Sequence, residues 1–431
     1  MDSGRPKILL IIIKNISGLD YAVPLLWRVR EARPDAELSV LYCTLSRKQI
    51  LRESRFYSET LRSCGVAERD LCDYLSGPAG CCAALWRTLL GRSSRDSGGP
   101  VLVRRVLRRA ERALARRVDV PRILPELDPD VILFDNRSVT AFEGRDALYA
   151  YFARARKKVV LLPHAPHHTG TTAFTPFDER GEPLPDYCEF WMPFKFDRSW
   201  ERLPEKKAQF VYVGYPGLDS AWLARPEFGA ARARRAADPL RCLFIIRKFL
   251  RPGQSRPPGH DAYVFDYDEF LVYVRCVAAA LRAADAPVEL VVKPHPSNDF
   301  RLLRDVFAES GIARWSITHD SIYGVAPACD LVISLYSTTL LIPAMAGVPT
   351  VLLHSRIQDE IHQWDEMKRM YTGLRFYLDD PNALPERFGD VVELARGRRG
   401  AGAAPPSPDV AHLRQFFPDG ATQRCLERLG L

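Results

Sequence analysis

Short, uninterrupted runs of branched apolar residues, each ending in a polar loop, recur along this chain and constrain its fold more than any other feature. The first, Ile8-Leu9-Leu10-Ile11-Ile12-Ile13, has the length of a strand and no polar interruption. Such a run is buried on both faces, as in a parallel sheet, because a half-exposed strand alternates apolar and polar residues. The loop Lys14-Asn15-Ile16-Ser17-Gly18 follows, then apolar residues at helical spacing over 21–31, then a second run at 38–43. Further runs stand at 131–134 and 159–162, and the pattern restarts at 242–246, 288–292, 331–334 and 350–353, with a helical stretch at 270–284. Strand and helix in alternation predict α/β architecture with doubly wound, Rossmann-like sheets.

A chain of 431 residues is too long for one ordinary domain and fits two of about 200 residues each. The first is expected over 1–219, ending in a strand and a Gly/Pro turn, Phe210-Val211-Tyr212-Val213-Gly214-Tyr215-Pro216-Gly217-Leu218-Asp219. Residues 220–239 are rich in Ala, Arg and Pro and read as a linker. The second domain is expected over 240–398, and 399–431 as a low-complexity linker with a closing helix. No repeat of 20–50 residues is visible.

The strongest local signal is Val291-Val292-Lys293-Pro294-His295-Pro296, where a buried strand runs into a cation and a histidine between prolines. Ligands of open α/β sheets bind outside the carboxyl ends of strands. Lys293 and His295 therefore stand where a diphosphate or phosphodiester would be met; the alternative is a structural histidine packed under the next helix. The second signal is Asp330-Leu331-Val332-Ile333-Ser334-Leu335-Tyr336-Ser337-Thr338-Thr339. Here a strand ends in a hydroxyl-rich turn before a short apolar helix expected over 340–346. Ser337, Thr338 and Thr339 suit its N-cap and first turn, where free N–H groups attract anions, although such residues cap helices without any ligand. Arg247, after the strand at 242–246, is placed to neutralise donor phosphate.

In the first half, Pro163-His164-Ala165-Pro166-His167-His168 follows a strand. Histidine titrates near neutrality, so His164 or His167 suits a general base for an acceptor hydroxyl. A metal site and a structural role stay open, but adjacent histidines face opposite sides of a strand and no acidic residue stands nearby. Asp135 ends another strand and is a catalytic candidate, or the cap of a turn. Asn15, Ser17 and Gly18 are candidates for the acceptor side. No G-x-x-x-x-G-K-[ST], G-x-G-x-x-G or G-x-S-x-G occurs, which disfavours P-loop kinases, classical dinucleotide enzymes and α/β-hydrolases.

The ordered series Gly-Tyr-Pro-Gly-Leu-Asp (214–219), Lys-Pro-His-Pro (293–296) and Asp-Leu-Val-Ile-Ser…Ser-Thr-Thr…Ala-Met-Ala-Gly-Val-Pro-Thr-Val (330–351) resembles a set of bacterial GT-B transferases of surface polysaccharide synthesis. The set includes CDP-glycerol glycerophosphotransferases, capsule Kdo transferases and polysialyltransferases. Non-hydrolysing UDP-GlcNAc 2-epimerases share a similar fold and carboxyl half. The likeness covers residues 205–355 well and the first half loosely. It implies two Rossmann-like domains facing across a cleft, with His295 at the donor phosphate, Ser337 and Thr338 holding it, and His164 or His167 near a catalytic histidine. Relatives usually carry Glu for donor ribose where this chain has Pro343.

These readings together lead us to expect a transferase using a CMP- or CDP-type donor and a polysaccharide or lipid-linked acceptor. The alternatives are a UDP-GlcNAc 2-epimerase-like isomerase and an inactive nucleotide-binding homologue. No cofactor, metal or nucleic acid is expected. The net charge of +8 suits an anionic partner but is equally what an Arg-rich composition produces. Arg104, Arg105, Arg108, Arg109, Arg112, Arg116 and Arg117 form a basic helical pattern, either a solvated face or a contact with anionic membrane. Ten cysteines without a paired framework, no leader-like segment and no apolar run near the ~20 residues of a membrane span suggest the cytoplasm, with a place at the inner membrane face open.

Overall fold

The computed structural model describes residues 4–12, 18–43, 54–75, 120–134, 157–163, 165, 188–202, 204–225, 238–254, 264–295, 298–355, 365–400 and 407–431. The chain forms two units, Met1–Asp219 with Gly420–Leu431, and Ser220–Asp419. Among the described residues no helix is long and apolar enough to cross a membrane.

The first unit runs β1 (Lys7–Ile12), α1 (Leu19–Ala32), β2 (Glu37–Tyr42), α2 (Arg55–Ser63), β3 (Ala67–Asp70), α3 (Val120–Leu127), β4 (Val131–Phe134), β5 (Lys158–Leu161), β6 (Cys188–Met192) and β7 (Phe210–Tyr212). All seven strands are parallel, in the order β3-β2-β1-β4-β5-β6-β7. Its core is what the apolar runs predict, with Leu9, Ile11, Ile132, Phe134, Val159, Leu161 and Phe190 buried together.

The second unit holds α4 (Ser220–Leu223), β8 (Leu240–Ile245), α5 (Tyr267–Ala283), β9 (Val288–Lys293), α6 (Phe300–Glu309), β10 (Trp315–Ile317), α7 (Ile322–Val325), β11 (Leu331–Leu335), α8 (Leu341–Met345), β12 (Thr350–Leu353), α9 (Asp365–Thr372), β13 (Phe376–Leu378), α10 (Leu384–Gly400) and α11 (Pro408–Arg414). Its six strands are parallel in the order β10-β9-β8-β11-β12-β13. Both sheets follow the winding in which the chain moves outward from its first strand, then returns to that strand's other side. The switch points, where ligands of such sheets bind, lie between β1 and β4 and between β8 and β11.

The closing segment does not form a unit of its own. The helix α12 (Ala421–Leu429) belongs to the first unit, and Asp219 joins it there. The position before α12 is Gly420, which has no side chain to cap the helix. The buried Asp219 carboxylate caps it instead, accepting from Ala421 N at 2.8 Å, Thr422 N at 2.6 Å and Thr422 Oγ1 at 2.6 Å. Arg424 Nε donates to the Val213 carbonyl at 3.0 Å, and Tyr21 Oη to the Gly214 carbonyl at 3.1 Å. Gly214 has φ +87°, and a Cβ there would lie 2.8 Å from the Ala421 Cβ, so glycine is required on both counts. The Gly-Tyr-Pro-Gly-Leu-Asp stretch is thus the seat of the last helix.

A second long-range tie fixes α10, which continues as helix through Gly400 where a linker was expected from residue 399. Arg399 Nε and Nη2 each meet an Asp330 carboxylate oxygen at 2.6 Å, and its Nη1 and Nη2 donate to the Asp238 and Pro239 carbonyls at 2.7 and 2.8 Å. Asp330 also accepts from Arg241 N at 2.7 Å. It precedes β11 and so works at the amino edge of the sheet, away from the loops that could bind a ligand.

Replacing Asp219 by Ala leaves two N–H groups and a hydroxyl buried without an acceptor, and we expect a loss of roughly 3 kcal/mol in urea unfolding. Arg399→Ala strands the Asp330 carboxylate and should cost about 3–5 kcal/mol in the same measurement.

Candidate functional site

The second sheet's register brings the strongest sequence signals to one level. Ile245 of β8 is paired with Lys293 of β9 on one side and Ser334 of β11 on the other. Arg247, His295 and Tyr336 therefore each stand two residues past the same level of three adjoining parallel strands. Parallel strands all leave a sheet by the same edge, so the three loops emerge side by side at the switch point.

Hydrogen bonds join those loops. Arg247 is half-buried, donates through Nη1 to the Tyr336 carbonyl at 2.8 Å and lies over the Tyr336 ring at 5.3 Å. The buried Tyr336 ring meets that of Tyr371 edge-on, with centroids 4.9 Å apart. Burial pushes the Tyr371 phenol well above its ordinary range, Tyr336 adds to this, and the Arg247 cation pulls the other way. On the β9 side, Asn298 bonds to backbone on both sides of Lys248, and Arg251 pairs with Asp299 at 2.6 Å. Lys293 Nζ donates to the Asp320 carbonyl in the loop after β10, which ties that loop to the strand beside it. His295 is exposed, and its carbonyl accepts from Asn298 N at 3.0 Å.

The hydroxyl turn leads into the expected short helix. Thr338–Leu340 form a 3₁₀ turn, and α8 spans Leu341–Met345 with Leu340 and Ala346 as its caps, which is the helix expected over 340–346. Pro343 stands in its first turn, where a missing N–H costs no intrahelical bond. Ser337 caps the 3₁₀ turn, its Oγ accepting from Thr339 N at 3.3 Å, and Ser337, Thr338 and Thr339 are all half-buried. So short a helix has little macrodipole, and the hydroxyls and backbone N–H groups of the turn are what an anion would meet.

Arg247, Lys293, His295, Ser337, Thr338 and Thr339 thus share one sheet edge. Tyr336, within the second motif, joins them, as do Asn298, two residues past the first motif, and Tyr371, which no sequence signal marked. In the first unit, Gly18 is buried at the start of α1 in an ordinary right-handed conformation. Asn15, Ser17, Asp135, His164, His167 and the arginine-rich segment from Arg104 to Arg117 lie outside the described residues. Among the described residues no group of three or more His, Cys, Asp or Glu gathers where a metal would sit. Cys43, Cys64, Cys188, Cys242, Cys276, Cys329 and Cys425 are buried.

No family model matches the sequence. No curated protein matches it either. Solved structures do. UDP-GlcNAc 2-epimerase from Neisseria meningitidis bound to UDP-GlcNAc gives a TM-score of 0.52 at 11% identity, covering 98% of this chain and 99% of that one. A UDP-N-acetylglucosamine 2-epimerase structure gives 0.51 at 12% identity over 99% and 97% of the two chains. A putative UDP-N-acetylglucosamine 2-epimerase from Listeria monocytogenes gives 0.50 at 13%, over 96% and 95%. The fold is of the GT-B type, built from two Rossmann-like parallel sheets.

Ser337→Ala removes the cap of the turn and should lower stability by about 1 kcal/mol, against a few tenths for Ser337→Gly, in denaturant titration.

Proposed function

We propose that the chain is a nucleotide-dependent transferase that moves a glycosyl or alditol-phosphate group from a CMP- or CDP-type donor to a surface polysaccharide or lipid-linked acceptor. One observation carries the donor half of this reading: Arg247, His295 and the Ser337–Thr339 turn leave three adjoining strands at one level of one edge. Cationic and hydrogen-bonding groups at a switch point suit the phosphate of a nucleotide. Held in place before reaction, they stabilise charge developing on the departing phosphate.

The cytidine donor and the polysaccharide acceptor rest on the Lys-Pro-His-Pro series and its likeness to the bacterial transferases. In this reading His164 or His167, or Asp135, takes the acceptor's proton, and Asn15, Ser17 and Gly18 line the acceptor side. The arginine-rich segment 104–117 would hold the enzyme to an anionic membrane at the cytoplasmic face. A second reading, a sugar-nucleotide 2-epimerase, is favoured by the 2-epimerase structures that share the fold. It predicts a UDP ligand and a 2-epimer formed with no acceptor present.

A thermal-shift series with CMP, CDP, UDP and GDP separates the two, because a ligand that binds only folded protein raises the midpoint. Cytidine nucleotides are expected to raise it most, and His295→Ala to abolish the rise. A rise with UDP alone turns the assignment to the epimerase. No rise with any of the four removes the nucleotide site.

A further inference from the structure

Beside the groups that would meet the nucleotide stands a residue that touches none of it yet determines where one of them sits. We propose that Asn298 is a positioning residue for Arg247. The proposal rests on the donor-site reading above and adds to it the device that holds the guanidinium.

The β8–β9 ladder ends with Ile246 N donating to the Lys293 carbonyl at 3.0 Å. The paired segment stops there, β8 ending at Ile245 and β9 at Lys293. Beyond it, the Lys248 carbonyl and Leu250 N pair with Phe265 at 3.0 and 2.9 Å, which leaves the Arg247 carbonyl and Phe249 N to be met from the other side. Asn298 supplies the pairing. Its side chain is a primary amide, with a carbonyl and an N–H₂ like those of a peptide. Nδ2 donates to the Arg247 carbonyl at 3.0 Å, and Oδ1 accepts from Phe249 N at 3.2 Å. One carboxamide thus takes the place of a strand residue, bonding on either side of Lys248. Its own position is set by the bond from its backbone N to the His295 carbonyl at 3.0 Å, and it is only 6% exposed.

On the opposite side, the Arg247 guanidinium is held by the Tyr336 carbonyl and lies over the Tyr336 ring. The arginine is therefore fixed at its backbone from the β9 loop and at its side chain from the β11 loop. A guanidinium binds phosphate through parallel N–H bonds whose strength depends on aim, so a displaced backbone weakens binding without removing any charge. Asn298 also ties the His295 and Arg247 loops together, so both would approach the same anion as a unit.

The test is a double-mutant cycle on the full chain, with dissociation constants for CMP, CDP, UDP and GDP measured by calorimetry and melting midpoints recorded beside them. Arg247→Ala should weaken the tightest of the four. Asn298→Ala should weaken it about ten-fold in the wild-type background and hardly at all in the Arg247→Ala background, the non-additivity expected of coupled neighbours. Asn298→Asp, nearly isosteric, keeps an acceptor for Phe249 N but sets an oxygen against the Arg247 carbonyl, and should behave as Asn298→Ala does. It carries the test if the alanine variant fails to fold. Equal losses in both backgrounds, or unchanged affinity with a lowered midpoint, overturn the positioning role and leave the donor site standing. If Arg247→Ala binds as wild type does, or no nucleotide binds the wild-type chain, the donor-site reading falls and the positioning role with it.

Discussion

Everything the second unit can do depends on the parallel register of β9, β8 and β11. In an antiparallel sheet, adjoining strands would leave by opposite edges, and Arg247 after β8 would be parted from the Lys-Pro-His-Pro and Ser-Thr-Thr segments after β9 and β11. Here every strand points the same way, so loops distant in sequence are neighbours in space. The pairing of Ile245 with both Lys293 and Ser334 does more than align strands. It puts a histidine, an arginine and a tyrosine at one height, and the buried runs on each side leave the polar groups nowhere to gather but the edge. A one-residue slip in β8 would carry Arg247 out of step with both neighbours and turn its buried residues to the opposite face.

The same economy of long-range polar ties holds the rest together. Asp219 caps a helix that begins at Ala421, after the whole second unit in sequence. Arg399 reaches back to Asp330 and to the carbonyls of Asp238 and Pro239, closing the amino edge of the second sheet as the loops open its carboxyl edge. Each tie satisfies several buried groups with one charged side chain, which makes its removal costly. The two edges are thereby divided in labour: charge at the amino edge is neutralised by an internal partner, while the cationic groups at the carboxyl edge are gathered beside a turn of hydroxyls.

The strands were legible because a sheet buried on both faces must be written in continuous apolar residues, and the run at 8–13 or 331–334 has few other readings. The edge location of Lys293, His295 and Ser337 followed from the strands alone. Asn298 was not legible, because its value lies in bonding Arg247 and Phe249, roughly fifty residues away, and an asparagine after a proline loop reads as turn chemistry. Asp219 was likewise read as part of a turn; only the return of α12 reveals it as a cap. The first unit's histidines could be ranked only by residue type and strand position, and that ranking stands where the sequence left it.

Pro343 bears on the chemistry of this turn. It is buried within α8, and its carbonyl is engaged by Val348 N at 2.9 Å. A pyrrolidine ring offers neither donor nor acceptor, so the side chain at this position can make no hydrogen bond. Two consequences follow from the geometry of the turn. The hydroxyls of Thr338 and Thr339, half-buried and one helical turn earlier, are the polar groups nearest in sequence to that position. And under the proposed function, a nucleotide held chiefly through its phosphate by Arg247 and His295 would depend less on its sugar edge, and discrimination between nucleotides would fall to the contacts made by the base.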